Sequence, residues 1–300
     1  MSKLDKLFIL PFDHRNSFLK KMFNVSNRDA TPQEDALVIE YKGIIYQGFK
    51  KVINDGLIDK ESAAILIDEQ FGDAIIRDAV NNEFQVCLST EKSGQDEYAF
   101  EYGNDFKDHI NKYRPTFVKA LVRYNPDGDQ KLNQRQRSRL KELSDFCLAN
   151  DYGFLIEPLV PATAEQLASV ENNQARYDNE LRPALMVTMV KEMHADGIEP
   201  LIWKIEGLEN QADYKKIVAA IQEDDRIKAK AIVLGRGASD TQVEAWLKAG
   251  AGVAGVIGFA VGRTIFWEPL VDYKEGRINK TQAAQKIGER FYHFYQIFTS

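Results

Sequence analysis

The chain has 300 residues, 44% hydrophobic and 28% charged, an ordinary balance for a globular protein with room for a large core. Its net charge of −6 gives no basis for a nucleic-acid partner or for an anionic membrane surface, although local positive charge can still hold an anionic metabolite. No stretch approaches eighteen apolar residues, the N-terminal MSKLDKLFILPFDHR has no signal-like apolar core, and Cys87 and Cys147 form no CxxC or Cys/His cluster. A cytoplasmic location with two reduced, buried thiols is expected.

Short apolar runs recur along the chain, most of them followed by a helix-like segment. The first is Leu7–Phe12, ending in Asp13-His14-Arg15. Thr31-Pro32-Gln33-Glu34 then opens a long helix with an N-cap, a first-turn proline and a capping-box glutamate, and the helix stops near Asp55-Gly56. The second run, Ala63–Ile67, ends in Asp68-Glu69 before a helix from about Gly72 to Asn82. The third, Phe84–Thr90, ends in Glu91-Lys92-Ser93-Gly94. The fourth, Phe117–Tyr124, leads through Asn125-Pro126-Asp127-Gly128 to a helix from Asn133 to about Asn150. The fifth, Phe154–Leu159, precedes a helix over Tyr177 to Ala195.

The sixth run, Pro200–Leu208, is followed by a helix over Ala212–Gln222. The seventh, Ala231–Leu234, ends in Gly235-Arg236-Gly237 before a helix capped by Ser239 or Asp240. The eighth, Val256–Ala260, ends in Val261-Gly262-Arg263-Thr264, and an amphipathic helix from about Lys280 to Phe298 closes the chain. Eight strands alternating with helices predict an α/β fold, a (β/α)8 TIM barrel in a single domain over residues 1–300. An open doubly wound sheet is the alternative, but the loop after the first strand, Asp13-His14-Arg15-Asn16, has no glycine for a dinucleotide.

In such a barrel the active site lies at the C-terminal ends of the strands. Charge gathers there at Asp13, Asp68, Glu91, Lys92, Lys119, Arg123, Glu157, Lys204, Glu206, Arg236 and Arg263. Much of this is ordinary solvated rim. Charge inside the apolar runs is different, and Lys119, Glu157 and Lys204 fit that description best. Alternation along the sixth strand puts Lys204 and Glu206 on one face with Ile202, and Trp203 and Ile205 on the other. A lysine enclosed this way is read either as a stem that packs while its head reaches water, or as an amine poised for attack. An enclosed lysine with a second cation and a carboxylate nearby is the recipe for Schiff-base catalysis, with Lys204 as the amine, Lys119 as the neighbouring cation and Glu157 as the proton shuttle. Asp13 is a second carboxylate available to orient the lysine or a substrate hydroxyl.

Barrels commonly bind phosphate at the ends of strands seven and eight, here Gly235-Arg236-Gly237 and Gly262-Arg263-Thr264. Glycine lets backbone N–H groups approach the oxygens, and arginine adds a bidentate contact. Arg15, Glu91 and Lys92 complete the expected binding set. The four histidines make no metal-spacing motif, and His14 is read as a hydrogen-bonded structural group, so neither metal nor organic cofactor is called for.

Glu91-Lys92-Ser93-Gly94, Lys119-Ala120-Leu121-Val122-Arg123-Tyr124 with Asp127-Gly128-Asp129, Ile156-Glu157-Pro158-Leu159 and Trp203-Lys204-Ile205-Glu206 resemble, in order, the class I tagatose-1,6-bisphosphate aldolases. Ile65-Leu66-Ile67-Asp68 and Gly262-Arg263 extend the match over most of the chain. A closer resemblance, carried by Leu10-Pro11-Phe12-Asp13-His14-Arg15, Glu91-Lys92-Ser93-Gly94-Gln95-Asp96-Glu97, Trp203-Lys204-Ile205-Glu206-Gly207 and Gly258-Phe259-Ala260-Val261-Gly262-Arg263-Thr264, is to the aldolase-like domain often fused behind 5-dehydro-2-deoxygluconokinase, the sugar kinase of myo-inositol catabolism. The resemblance implies a TIM barrel with Lys204 as Schiff-base lysine, Glu157 as proton-transfer carboxylate, Lys119 and Asp13 lining the site and Arg263 holding phosphate. The kinase association implies cleavage of 5-dehydro-2-deoxygluconate 6-phosphate to dihydroxyacetone phosphate and malonate semialdehyde.

Two departures from the tagatose enzymes fall where substrate should sit. Ile205-Glu206-Gly207-Leu208 stands where they have Val-Glu-Val-Pro, and Gly235-Arg236-Gly237 where they have Ser-Ala-Gly. Arg236 is therefore expected to suit a second anion such as a carboxylate. The alternatives are an aldolase for another ketose phosphate, of the tagatose or sulfo-sugar type, and a non-catalytic phosphosugar sensor. The expected partner is a small phosphorylated sugar or sugar acid, with a homo-oligomer compatible with a barrel of this size.

Overall fold

All eight apolar runs form parallel strands: β1 (Leu7–Pro11), β2 (Ala63–Ile67), β3 (Gln85–Ser89), β4 (Phe117–Arg123), β5 (Gly153–Leu159), β6 (Ile202–Glu206), β7 (Lys230–Leu234) and β8 (Val256–Ala260). In the computed structural model, which describes residues 4–26 and 28–300, they close in sequence order, with β1 hydrogen-bonded to both β2 and β8. The chain is thus a (β/α)8 TIM barrel. The first three residues of the N-terminal stretch read above lie outside the described residues.

The strands are mostly apolar because both of their faces are covered. One set of side chains, including Leu7, Ile9, Leu66, Phe117, Leu155, Ile202 and Ile232, fills the interior of the barrel. The alternate set, including Phe8, Leu10, Val118, Ile156, Trp203 and Ile205, packs outward under the helices. Two residues beyond the interior layer, the same inward parity reaches Lys119 on β4, Glu157 on β5 and Lys204 on β6.

The helix Pro32–Asn54 has the capping box expected of Thr31 and Glu34, worth about 1 kcal/mol. It packs against the C-terminal helix Lys280–Thr299 through glycines. A Cβ on Gly48 would meet the carbonyl of Ala284 at 2.7 Å, and one on Gly288 would meet that of Gly48 at 2.9 Å.

Several elements differ from the sequence-based expectation. The helix after β2 starts earlier, at Glu69, because Asp68 caps it through the Phe71 N–H. Asp129 likewise starts the next long helix at Gln130. The expected helix over Tyr177–Ala195 is a π-turn, Tyr177–Leu181, running into an α-helix, Arg182–Ala195. Three helices of eight residues or more are additional: Asn16–Phe23, Phe106–Tyr113 and Arg263–Lys274. The second buries only Phe106, Ile110 and Tyr113, too short a stripe for its period to stand out. The third contains Pro269, which removes the donor that Ile265 would otherwise accept from. Arg290 replaces that donor, its Nε bonding the Ile265 carbonyl at 3.1 Å and its Nη2 the Thr264 carbonyl at 2.7 Å.

Candidate active site

At the C-terminal mouth of the barrel a cavity of about 640 Å³ is lined by residues from the ends of most of the strands. Its floor is a layer of charge. Lys119 Nζ lies 2.8 Å from Asp13 Oδ2, 2.6 Å from Glu91 Oε1 and 3.0 Å from Glu157 Oε2. Lys204 Nζ lies 2.9 Å from the same Oε2 of Glu157. One carboxylate oxygen therefore bridges two ammonium groups. Lys119 and Lys204 are 1% and 2% exposed, so neither head reaches bulk water as the packed-stem reading of Lys204 required.

The electrostatics follow from three carboxylates sharing one central cation. Burial works against the charge of Lys119, but Asp13, Glu157 and Glu91 outweigh it and hold the ammonium well above its ordinary value. Burial also opposes the charge of Asp13, yet Lys119 and then Lys204 hold it far below the usual carboxylate range. Glu157 is lowered in the same way, against burial, by Lys119 and Lys204. Glu91 goes the other way: burial outweighs the attraction of Lys119, and the nearby charge of Asp13 pushes its carboxyl up further. Of three acids around one ammonium, one is hardest to ionise, and it is Glu91. Its other oxygen accepts from the Leu121 N–H at 3.3 Å, which fixes the group.

Asp13 is thus an anchor for Lys119, with no direct bond to Lys204. His14 also departs from expectation. It lines the cavity, but its Nδ1 is buried without a hydrogen-bond partner, and its ring meets Phe266 edge-on. Burial, reinforced by Arg263 and Lys204 against the pull of Asp13, brings its pKa down to about 4, so the imidazole is neutral at physiological pH.

On the β7–β8 side, Gly235, Arg236, Gly237, Gly262 and Arg263 all border the cavity. Gly237 has φ +72°, and a Cβ there would press on the Arg263 guanidinium at 2.7 Å. Gly262 lets the chain pass the Pro11 carbonyl, which a Cβ would approach to 2.3 Å. Arg263 begins its helix and donates to the Arg236 carbonyl at 2.7 Å. Arg236, itself at φ +51°, is tied by Nε to Glu206 at 3.2 Å and by Nη1 to Asp178 at 3.0 Å. Its charge is already neutralised, and it sits on the same side of the barrel as Arg263. On the far side Arg15 pairs with Glu101 at 2.7 Å and donates to the Glu91 carbonyl, while Lys92 is exposed at the rim.

Several partners escaped the sequence reading. Arg182, 2% exposed, lies behind Glu206 at 3.2 Å and donates to the Gly207 carbonyl at 3.0 Å; the only cue is its place before Pro183 at a helix start. Glu206 also accepts from the Val160 N–H at 2.9 Å, fixing the turn after β5. Lys42, on the buried stripe of the long helix, forms a fully enclosed ion pair with Asp68 just outside the cavity. A lysine on a helix carries no sequence signal of such burial.

The whole chain, residues 1–300, matches the bacterial family DUF2090, described as "Uncharacterized protein conserved in bacteria", and it belongs to that family. No curated protein matches it. Among solved structures, a Plasmodium falciparum fructose-bisphosphate aldolase, in complex with TRAP and a small-molecule inhibitor, superposes with a TM-score of 0.66 at 13% identity, over 99% of this chain and 92% of that one. An archaeal fructose 1,6-bisphosphate aldolase gives a TM-score of 0.56 at 15% identity, over 98% and 96%. At these identities the likeness is one of fold.

Proposed function

We propose that this DUF2090 protein is a Schiff-base aldolase that cleaves a ketose or keto-sugar-acid phosphate, with 5-dehydro-2-deoxygluconate 6-phosphate as the favoured substrate. The observation that carries the reading is the 2.9 Å contact of Lys204 Nζ with Glu157 Oε2, at the floor of an open cavity, with Lys119 on the same oxygen. A structural ion pair needs no third charge and no cavity. A nucleophilic amine needs both, together with a carboxylate to carry its protons.

Glu157 is an anion in the resting site and takes a proton from Lys204 along their contact. The neutral amine attacks the substrate ketone, and Glu157 returns its proton to the departing hydroxyl, so that loss of water leaves an iminium and a free carboxylate. That iminium is the electron sink for the carbon–carbon bond between the ketone's α carbon and the carbon bearing the β hydroxyl. As the bond breaks, the carboxylate accepts the hydroxyl proton and the aldehyde, malonate semialdehyde, departs. Protonation of the enamine and hydrolysis then release dihydroxyacetone phosphate and regenerate the amine. Lys119, held cationic by its three acids, keeps Glu157 ionised and in place. Arg263, with the glycine turns at the ends of β7 and β8, takes the phosphate.

The test is borohydride trapping with dihydroxyacetone phosphate, followed by peptide mass spectrometry. The expected result is a reduced adduct on Lys204 that is lost in Lys204→Ala. Ligand-induced thermal stabilisation without any adduct would overturn the enzyme reading in favour of a sensor.

A further inference from the structure

Of the cations lining the cavity, most are already spent on protein carboxylates. Lys119 has three partners, Lys204 has Glu157, Arg15 has Glu101, and Arg236 has Glu206 and Asp178. Three have no ion-pair partner among the described residues: Arg263, Arg123 and Lys92. They fall in two places. Arg263 follows β8, whereas Arg123 ends β4 and Lys92 follows β3. In a barrel closed in sequence order β4 and β8 are four strands apart either way round, so the two groups face one another across the mouth with Lys119 and Lys204 on the floor between them. Two separated, unneutralised poles suit a ligand that is anionic at both ends.

The second pole is built rather than incidental. Arg123 shares the inward parity of Phe117, Lys119 and Leu121, and its Nη1 is steadied by the Gln95 carbonyl at 2.9 Å, leaving the rest of the guanidinium fork without a protein partner. Gln136 holds the backbone behind it, donating to the Arg123 carbonyl at 2.9 Å and accepting from the Tyr98 N–H at 2.8 Å. Lys92 sits on a short antiparallel hairpin closed by Glu91 opposite Phe100, with its N–H on the Ala99 carbonyl at 2.8 Å. Of the lining carboxylates in this quarter, Glu91 is paired with Lys119 and Glu97 with Arg135 and Arg139, which leaves exposed Asp96 against two cations. An arginine held this way loses little freedom on binding a carboxylate.

We infer that Arg123, assisted by Lys92, is the specificity-determining subsite for a carboxylate at the end of the substrate remote from its phosphate. This deepens the aldolase reading and rests on it: the departing aldehyde is an acid-bearing one. It also moves the carboxylate contact away from Arg236, whose charge is satisfied and which lies beside the phosphate pole. The Arg123 subsite selects between acceptor aldehydes and takes no part in forming the Schiff base on Lys204.

The experiment is the condensation of dihydroxyacetone phosphate with two three-carbon aldehydes, malonate semialdehyde and uncharged propanal. A charge-assisted hydrogen bond of about 1.5–3 kcal/mol corresponds to ~10–100-fold, so in Arg123→Gln the ratio of kcat/KM for malonate semialdehyde to that for propanal should fall by that factor. Arg123→Lys should recover part of it. An unchanged ratio, or an equal loss with both aldehydes, overturns the inference. Isothermal titration with 3-hydroxypropanoate, the inert reduced form of malonate semialdehyde, reads the subsite without any chemistry at Lys204. If the unsubstituted protein gives no borohydride adduct, yet Arg123→Gln abolishes this binding, the aldolase reading fails and the carboxylate subsite stands. Binding equal in both proteins removes the subsite.

Discussion

Replacing Lys119 by methionine keeps the length and much of the volume of the side chain but removes the cation at the centre of three carboxylates. Asp13 and Glu91 lose their ion-pair partner, while Glu157 keeps Lys204. Breaking a buried ion pair on one side costs ~3–5 kcal/mol. At about 2.1 cal/mol/K per residue, 300 residues carry an unfolding entropy of about 0.6 kcal/mol/K, so Tm should fall by about 5–8 °C at neutral pH. The pH dependence is more diagnostic. In the unsubstituted protein the depressed carboxyls of Asp13 and Glu157 contribute stability that is complete above their unfolded values and is lost as pH falls through the folded ones. The raised ammonium of Lys119 contributes stability that is complete below its unfolded value and fades only as pH rises through the folded one. Glu91, raised, works in the opposite sense to the other acids and recovers stability on acidification, a partial offset. Without Lys119, burial acts on Asp13 and Glu91 against only the weaker pull of Lys204 and Arg15, and both carboxyls move up. Their penalty is then present above the raised values and relieved as pH falls through them. Melting curves at pH 8 and pH 5, followed by far-ultraviolet circular dichroism, should show the gap between the two proteins shrinking to less than half at pH 5. A gap equal at both pH values, or wider at pH 5, would refute the electrostatic account of the site.

Two further outcomes test other parts of the structure. Gly237→Ala forces a side chain onto a residue at φ +72° and against the Arg263 guanidinium. It should cost ~1 kcal/mol of stability in urea unfolding and raise KM for a phosphorylated substrate while leaving KM for its unphosphorylated analogue unchanged. Lys42→Met strands Asp68 in a fully enclosed site and should cost ~3–5 kcal/mol. Adding Asp68→Asn, which keeps the cap on Phe71, should restore more than half of that loss, and strict additivity of the two changes would show that the ion pair is not what couples them.

The barrel was legible because its strands are covered on both faces and so stand out as continuous apolar runs. For the same reason Lys119, Glu157 and Lys204 were legible as site candidates, since a charge in such a run has no solvent to face. Alternation put Lys204 and Trp203 on opposite faces of β6, and the barrel turns the first inward and the second outward. What stayed hidden was pairing over long sequence distances. Arg236 looked free for an anion because nothing local neutralises it, but its partners, Glu206 and Asp178, come from a different strand and a π-turn 30 and 58 residues away. Lys42 and Arg182 were hidden because a basic residue on a helix is ordinarily solvated. The helix Arg263–Lys274 was masked by Pro269, and only Arg290, from a helix that follows it, makes that proline tolerable.

The seam between β1 and β8 bears on how the chain reaches this state. During synthesis β1 finds β2 early, but its other edge stays open until residues 256–260 leave the ribosome, and the glycine contact of Gly48 with Gly288 waits longer still. Each intermediate length therefore presents an apolar strand edge with no neighbour, the kind of surface that recruits a second chain. Ring closure is also a contact between distant parts of the sequence, whose entropy is lost before any pairing is gained. Maturation of this barrel is consequently governed by its final strand and helix. Substitutions at Gly258, whose added Cβ would collide with the Leu7 carbonyl, should lower the soluble yield in cells far more than they speed the unfolding of protein that has already closed.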